Sequence, residues 1–119
     1  MANNVIYNLS KSFALRIVKL YLYLRDEENE YVMSKQLYRC GTSIGANIAE
    51  SRFAQSEADH ISKLSIALKE ASESLYWLEL LHDAEYLSDK MFESIYNDAK
   101  IIVGTLVNII NKLKRKNNN

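Results

Sequence analysis

The chain contains no proline, a single cysteine and only three glycines among 119 residues. At ordinary usage roughly six prolines would be expected. Their absence favours long unbroken helices, whose interiors proline disrupts. Cys40 has no partner for an internal disulfide, and a lone thiol fits a reducing compartment, so a cytoplasmic protein is expected. Long apolar runs are also missing. The longest, Ile101 to Ile110, is interrupted by Asn108 and is too short to span a bilayer, so no membrane role is expected. The opening residues, with Asn3, Asn4, Asn8, Ser10 and Lys11, lack the apolar stretch of a signal peptide. Nor is there an excess of one charge: 15 cations balance 15 anions. That balance excludes a strongly basic nucleic-acid binder while leaving room for a basic patch.

What is present is helical periodicity. With 48% hydrophobic and 25% charged residues, the composition is that of a globular protein, and the length suits one domain. Apolar residues recur at spacings of three and four in four segments. The first covers about residues 8–26, with Leu9, Phe13, Ile17, Leu20 and Leu24 on its stripe, and ends in the charged turn from Asp26 to Glu30. A second covers 34–53 behind Ser34 as a candidate N-cap, with Leu37, Gly41, Ile44 and Ile48. The third, 56–84, starts at Ser56 with Asp59 three residues on, a pattern close to a capping box. Its stripe is Ile61, Leu64, Leu68, Ala71, Leu75 and Leu78. The fourth, 88–115, starts at Ser88 and runs through Phe92, Ile95, Ala99, Ile102, Leu106, Ile109 and Leu113. Short connections make consecutive helices antiparallel neighbours, so the expected fold is an all-α, up-down-up-down four-helix bundle.

A bundle helix needs one apolar stripe and a polar outer face. Three of these helices carry more. The second has Thr42, Gly45, Ala46, Ala49 and Phe53 beside its core stripe, and Gly41, Gly45 and Ala49 form a smooth strip for close backbone approach. The first adds Ala14, Val18 and Tyr21, with Leu15 and Leu22 almost opposite the core. On the third, Ile66, Glu70, Glu73, Trp77 and Leu80 form a stripe of their own. An outward Trp77 would be a liability on a monomer and an anchor at an interface. Gly45, Ala49, Phe53, Ile66, Glu70, Glu73, Trp77 and Leu80 are therefore expected at a contact between copies of the chain.

Two runs carry a family resemblance. Gln36-Leu37-Tyr38-Arg39-Cys40-Gly41-Thr42-Ser43-Ile44-Gly45-Ala46-Asn47-Ile48-Ala49-Glu50 resembles the signature of the 23S rRNA intervening-sequence proteins, which are four-helix bundles. The run from Ile61 to Ser74 is similar to their second hallmark, and the resemblance covers nearly the whole chain. The resemblance implies a bacterial protein related to the accessory proteins of diversity-generating retroelements. Those assemble as barrel-like pentamers and bind nucleic acid, so a homo-oligomer, with five subunits preferred, is what the resemblance implies here.

No constellation of catalytic residues is found, and no enzyme, cofactor or metal site is expected. Arg39, Ser43, Asn47 and Glu50 share a stripe and read as a structural polar cluster that fixes helix register. His60 and His82 are too far apart along one helix to share a metal, and Glu57 before His60 lacks the second half of a di-iron motif. Cys40, among apolar neighbours, reads as a buried small hydrophobe. Charge placement is more suggestive. An up-down-up-down order gathers Lys112, Lys114, Arg115 and Lys116 at one end, near Lys11 and Arg52, and acidic residues at the other. Repeated around a ring, that basic rim could bind a phosphate backbone although each chain is neutral. The expected function is an oligomeric, non-enzymatic scaffold or adaptor for nucleic acid or a nucleic-acid enzyme. An interaction module with no nucleic-acid role is the alternative.

Overall fold

Serine hydroxyls and one glutamate carboxylate set where the helices begin. The computed structural model describes residues 2–117, in four helices: α1 (Ala2–Asp26), α2 (Met33–Ser51), α3 (Glu57–Asp83) and α4 (Asp89–Asn117). Ser56 caps α3 by accepting the Asp59 N–H at 3.0 Å, and Ser88 accepts the Met91 N–H at the start of α4. Both follow from a hydroxyl three residues ahead of a free amide.

α2 starts differently. Ser34 is not its N-cap; it lies inside the helix and is buried. The Glu30 carboxylate reaches over the helix end and accepts the N–H groups of Val32, Met33 and Ser34, at 3.0, 3.0 and 2.6 Å. The Ser34 hydroxyl returns a bond to the Glu30 carbonyl. Burial opposes ionisation of this carboxyl, which is only 6% exposed, yet the three backbone donors outweigh it and hold its pKa below the usual carboxylate range. An anion at a helix N-terminus also meets the favourable end of the helix dipole.

The first helix begins at Ala2, earlier than the spacing predicts. Ile6 is fully buried and extends the expected stripe by about one turn. The core stripe of α3 is turned relative to expectation. Ala67, Ser74 and Leu81 are buried together with Leu64, Ala71 and Leu78. Ile61, Leu68 and Leu75 are only partly buried and pack against the core from its edge. Hydropathy hid this phase because serine occupies core positions. Ser10, Ser34, Ser51 and Ser74 are all buried, and each hydroxyl donates to a carbonyl three or four residues back. A hydroxyl satisfied this way costs little in an apolar core.

The helices pack in a ring, α1 on α2, α2 on α3, α3 on α4 and α4 on α1, as a bundle about 51 Å long. The α1–α4 seam is much the sparsest of the four. At α1–α2, Gly41 lies under Ile17: a Cβ there would stand 2.8 Å from Ile17 Cγ1. Among the described residues no helix is long and apolar enough to cross a membrane.

Replacing Glu30 with glutamine is expected to cost about 1–2 kcal/mol of stability near neutral pH, the usual worth of a helix cap. The depressed folded pKa sets the pH dependence. The cap's contribution is present above the unfolded carboxyl value of about 4.3, and it is lost as pH falls through the lower folded value. Urea unfolding of both proteins from about pH 7 to pH 2 is expected to show the gap narrowing on the acid side. A gap that stayed constant would mean the carboxylate charge is not what caps α2.

Candidate functional site

Two residue groups that the spacing treats separately meet at the seam between α2 and α3. Arg39 reaches across to Glu70 at 3.3 Å and Glu73 at 2.5 Å. Trp77 Nε1, one turn further along α3, donates to the same Glu73 oxygen at 3.0 Å. That indole bond, followed by the Arg39 guanidinium, holds the Glu73 carboxyl below its usual pKa against the opposing effect of partial burial. Trp77 is therefore half-buried in the seam and packed against the core, not projecting outward. Its neighbour Tyr76 is exposed and meets the indole edge-on, ring centres 5.1 Å apart. Ile66 is exposed on the same helix, while Leu80 is half-buried.

The rest of the expected polar cluster does not converge. Ser43 donates to the Arg39 carbonyl and Asn47 Nδ2 to the Ser43 carbonyl, both within α2. Glu50 is exposed. Of that stripe only Arg39 joins another helix, so it is one ion-pair bridge that links the two helices, not a four-residue network.

The basic residues divide as well. Lys112, Lys114, Arg115 and Lys116 are all exposed on the last turns of α4. Arg16 of α1 bonds Asp98 and Ser94 of α4, which fixes the relative height of these antiparallel helices. From Asp98 to Lys112 the rise is about 21 Å, and from Arg16 back to Lys11 about 8 Å. Lys11 thus stands well inward of the α4 end, on the side of the bundle. Arg52 lies with its guanidinium 3.7 Å from the centre of the Tyr7 ring, a cation–π contact that holds it against α1. Arg52 stays exposed at the α2–α3 turn, at the same end as the four exposed α4 cations. At the opposite end Glu30 is withdrawn as a cap, and Asp26 is paired with Arg25.

The outer face of α1 and α2 is the largest departure from an ordinary polar surface. Phe53 is 85% exposed, Leu15 59%, Leu22 41% and Tyr38 40%. Val18 and Tyr21 lie among them half-buried, and Tyr21 packs on Tyr38 with ring centres 5.0 Å apart. Thr42, Ala46 and Ala49 continue the face along α2 without a charge. Gly45 faces inward instead, its missing Cβ opposite Ser10 of α1, so the glycine strip serves packing within the chain. The spacing does not single out Tyr38, although it stands four residues before Thr42 on the same stripe.

The cysteine and both histidines are engaged within the fold. Burial pushes the Cys40 thiol up to about 11, and its sulfur donates to the Leu37 carbonyl and accepts from Ser74. Such a thiol stays protonated and shielded. His60 Nδ1 donates to the Ser51 carbonyl, joining the start of α3 to the end of α2. Its counterpart His82 stacks on Phe92 and bonds Asp89. Among the described residues no three His, Cys, Asp or Glu side chains are grouped to hold a metal.

Comparison with known proteins adds a lineage. The family model described as 23S rRNA-intervening sequence protein matches residues 2–108. Five solved chains match significantly. One is a crystal structure from Bacteroides thetaiotaomicron, described as a protein of unknown function from the S23 ribosomal protein family. It is 55% identical, superposes with a TM-score of 0.92, and the match covers 93% of this chain and 99% of that one. No curated protein matches significantly.

The placement of Trp77 makes a folding prediction. Trp77→Ala removes half-buried indole packing and leaves Glu73 short of a donor, so it is expected to lower unfolding free energy by roughly 2–3 kcal/mol. Arg39→Ala, which breaks a partly exposed ion pair, is expected to cost about 1 kcal/mol or less. Chemical denaturation of both variants checks the order. A Trp77 variant as stable as the parent would put the indole at a subunit contact instead.

Proposed function

Because the chain belongs to the 23S rRNA-intervening sequence protein family, we propose that it is a self-associating, non-enzymatic scaffold. In this reading copies meet through the outer face of α1 and α2, and the α4 cations present a polyanion-binding surface. The observation that carries it is the set of exposed apolar side chains Leu15, Leu22 and Tyr38 beside the Tyr21–Tyr38 pair. Exposed leucines and a tyrosine pair spread over two helices are what subunit contacts bury. The stoichiometry proposed is five, a number that rests on the family resemblance. Parallel packing of copies would bring several sets of Lys112, Lys114, Arg115 and Lys116 to one rim. Multiplying weak phosphate contacts in that way lets a chain of zero net charge hold nucleic acid.

A second reading, an interaction module with no nucleic-acid role, draws support from two placements. Arg52 is engaged with Tyr7, and Lys11 lies away from the α4 end.

Sedimentation equilibrium at micromolar concentration is expected to report a particle several times the 13.7 kDa chain mass. Leu15→Glu combined with Leu22→Glu is expected to return it to monomer with its helical circular dichroism intact. A monomeric parent protein would end the scaffold reading.

For the rim, fluorescence anisotropy with labelled single-stranded and duplex probes is expected to show binding without sequence preference. Its log affinity should fall with log salt by about 0.9 per duplex phosphate contacted. Changing Lys112, Lys114, Arg115 and Lys116 to glutamine is expected to abolish binding and leave the fold intact. Absence of binding by the parent at low salt would leave the interaction module as the function.

A further inference from the structure

The sparse seam between α1 and α4 opens into a groove that neither the self-association face nor the basic end uses. Its floor is apolar: Leu20, Leu87 and Ile95 lie there almost fully buried. Met91 and Tyr23 form half-buried walls. The groove offers about 420 Å³ and lies open to solvent along its length. Its charged lining residues are Arg16 and Lys19, both on α1. Arg16 is tied to Asp98 and Ser94, whereas Lys19 enters no ion pair among the described residues. No acidic side chain lines the groove.

We propose that this groove docks an amphipathic helix of a partner protein, one carrying apolar residues a turn apart and a carboxylate beside them. Three features select that occupant. From Arg16 to Tyr23 the groove follows α1 for about 10 Å, two turns of an incoming helix. A trough between two antiparallel helices takes a third as a bundle does, by seating side chains between its walls. Its open side would leave a small molecule largely in water, but a helix covers it with its own backbone. Charge decides the chemistry of the partner: Lys19 supplies a positive rim without an anion of the same chain to answer it, so an acidic helix is favoured and a basic one repelled. Met91 suits a wall that must fit an incoming side chain, because its unbranched thioether adapts to irregular partners.

The groove shares no lining residue with the cleft at Tyr21 and Tyr38 on the α1–α2 face, and sedimenting mass distinguishes a partner helix in it from a second copy. The probe is a fluorescein-labelled, alanine-rich peptide of about 16 residues, long enough to hold a helix. It carries leucines at helical spacing flanked by glutamates, and a matched peptide has lysines in their place. Anisotropy titration with the full-length protein is expected to show saturable binding of the acidic peptide and at least roughly tenfold weaker binding of the basic one. Lys19→Glu is expected to invert that order, a reversal that loss of folding cannot produce. Met91→Glu is expected to weaken both peptides with circular dichroism and sedimenting mass unchanged. Equal binding of the two peptides, or no saturable binding of the acidic one, overturns the proposal. So does a drop in sedimenting mass on Met91→Glu, which would assign the groove to a second copy of the chain.

Discussion

The approach of α1 to α2 across Gly41 governs the rest of the molecule. With no side chain at that position, Ile17 sits directly over the α2 backbone, and a single added carbon would meet it at 2.8 Å. A glycine inside a helix costs about 1 kcal/mol relative to alanine, and the packing it permits offsets that loss. The consequence is directional. Once Ile17, Ser10 and Leu24 of α1 are pressed inward, Leu15 and Leu22 on the far side of the same helix are turned to solvent. On α2 the same constraint buries Gly41 and Ile44 and turns Ala46 outward. One close contact thus produces both a tight seam and an apolar exterior beside it.

The remaining seams show how the bundle is closed with fewer demands. α2 and α3 are joined in the core by the Ser74 hydroxyl donating to Cys40 Sγ and at the surface by Arg39 bridging Glu70 and Glu73. α3 and α4 share a run of rings, His82 on Phe92 and Phe92 on Tyr96, with the Tyr96 hydroxyl donating to Glu79. Among the described residues, α1 and α4 are linked by Arg16 to Asp98 and Ser94. A ring of four helices closed tightly at three seams leaves its slack at the fourth.

Much of this was legible in the sequence, for local reasons. Four helices follow from spacings of three and four, and Ser56 and Ser88 are recognisable caps because each acts within its own turn. The family resemblance, carried by the runs from Gln36 and from Ile61, is shown by the match over residues 2–108. What escaped depends on groups acting at a distance or against their type. Ser34 looks like a cap, but a carboxylate four residues earlier supplies the bonds. Core serines satisfied by their own helix read as surface, which shifted the α3 stripe and turned Trp77 outward on paper. Arg52 counts as a free cation until Tyr7 of α1 is seen beneath it. The α4 cations stand exposed at the end where the topology put them.

The central claim is that the α1–α2 exterior is covered when the protein is in solution. Hydroxyl-radical footprinting with residue-level mass spectrometry reads this directly, because side chains of similar intrinsic reactivity can be compared within one molecule. Tyr31 and Tyr76, which lie off the face and are more than half exposed, serve as references. Under the scaffold account, Phe53, Leu22 and Tyr38 are oxidised far more slowly than their 85%, 41% and 40% exposure in the single chain would give, and dilution to monomer restores their reactivity. Oxidation of Phe53 at the rate its single-chain exposure sets, at concentrations where Tyr31 and Tyr76 react normally, would contradict it.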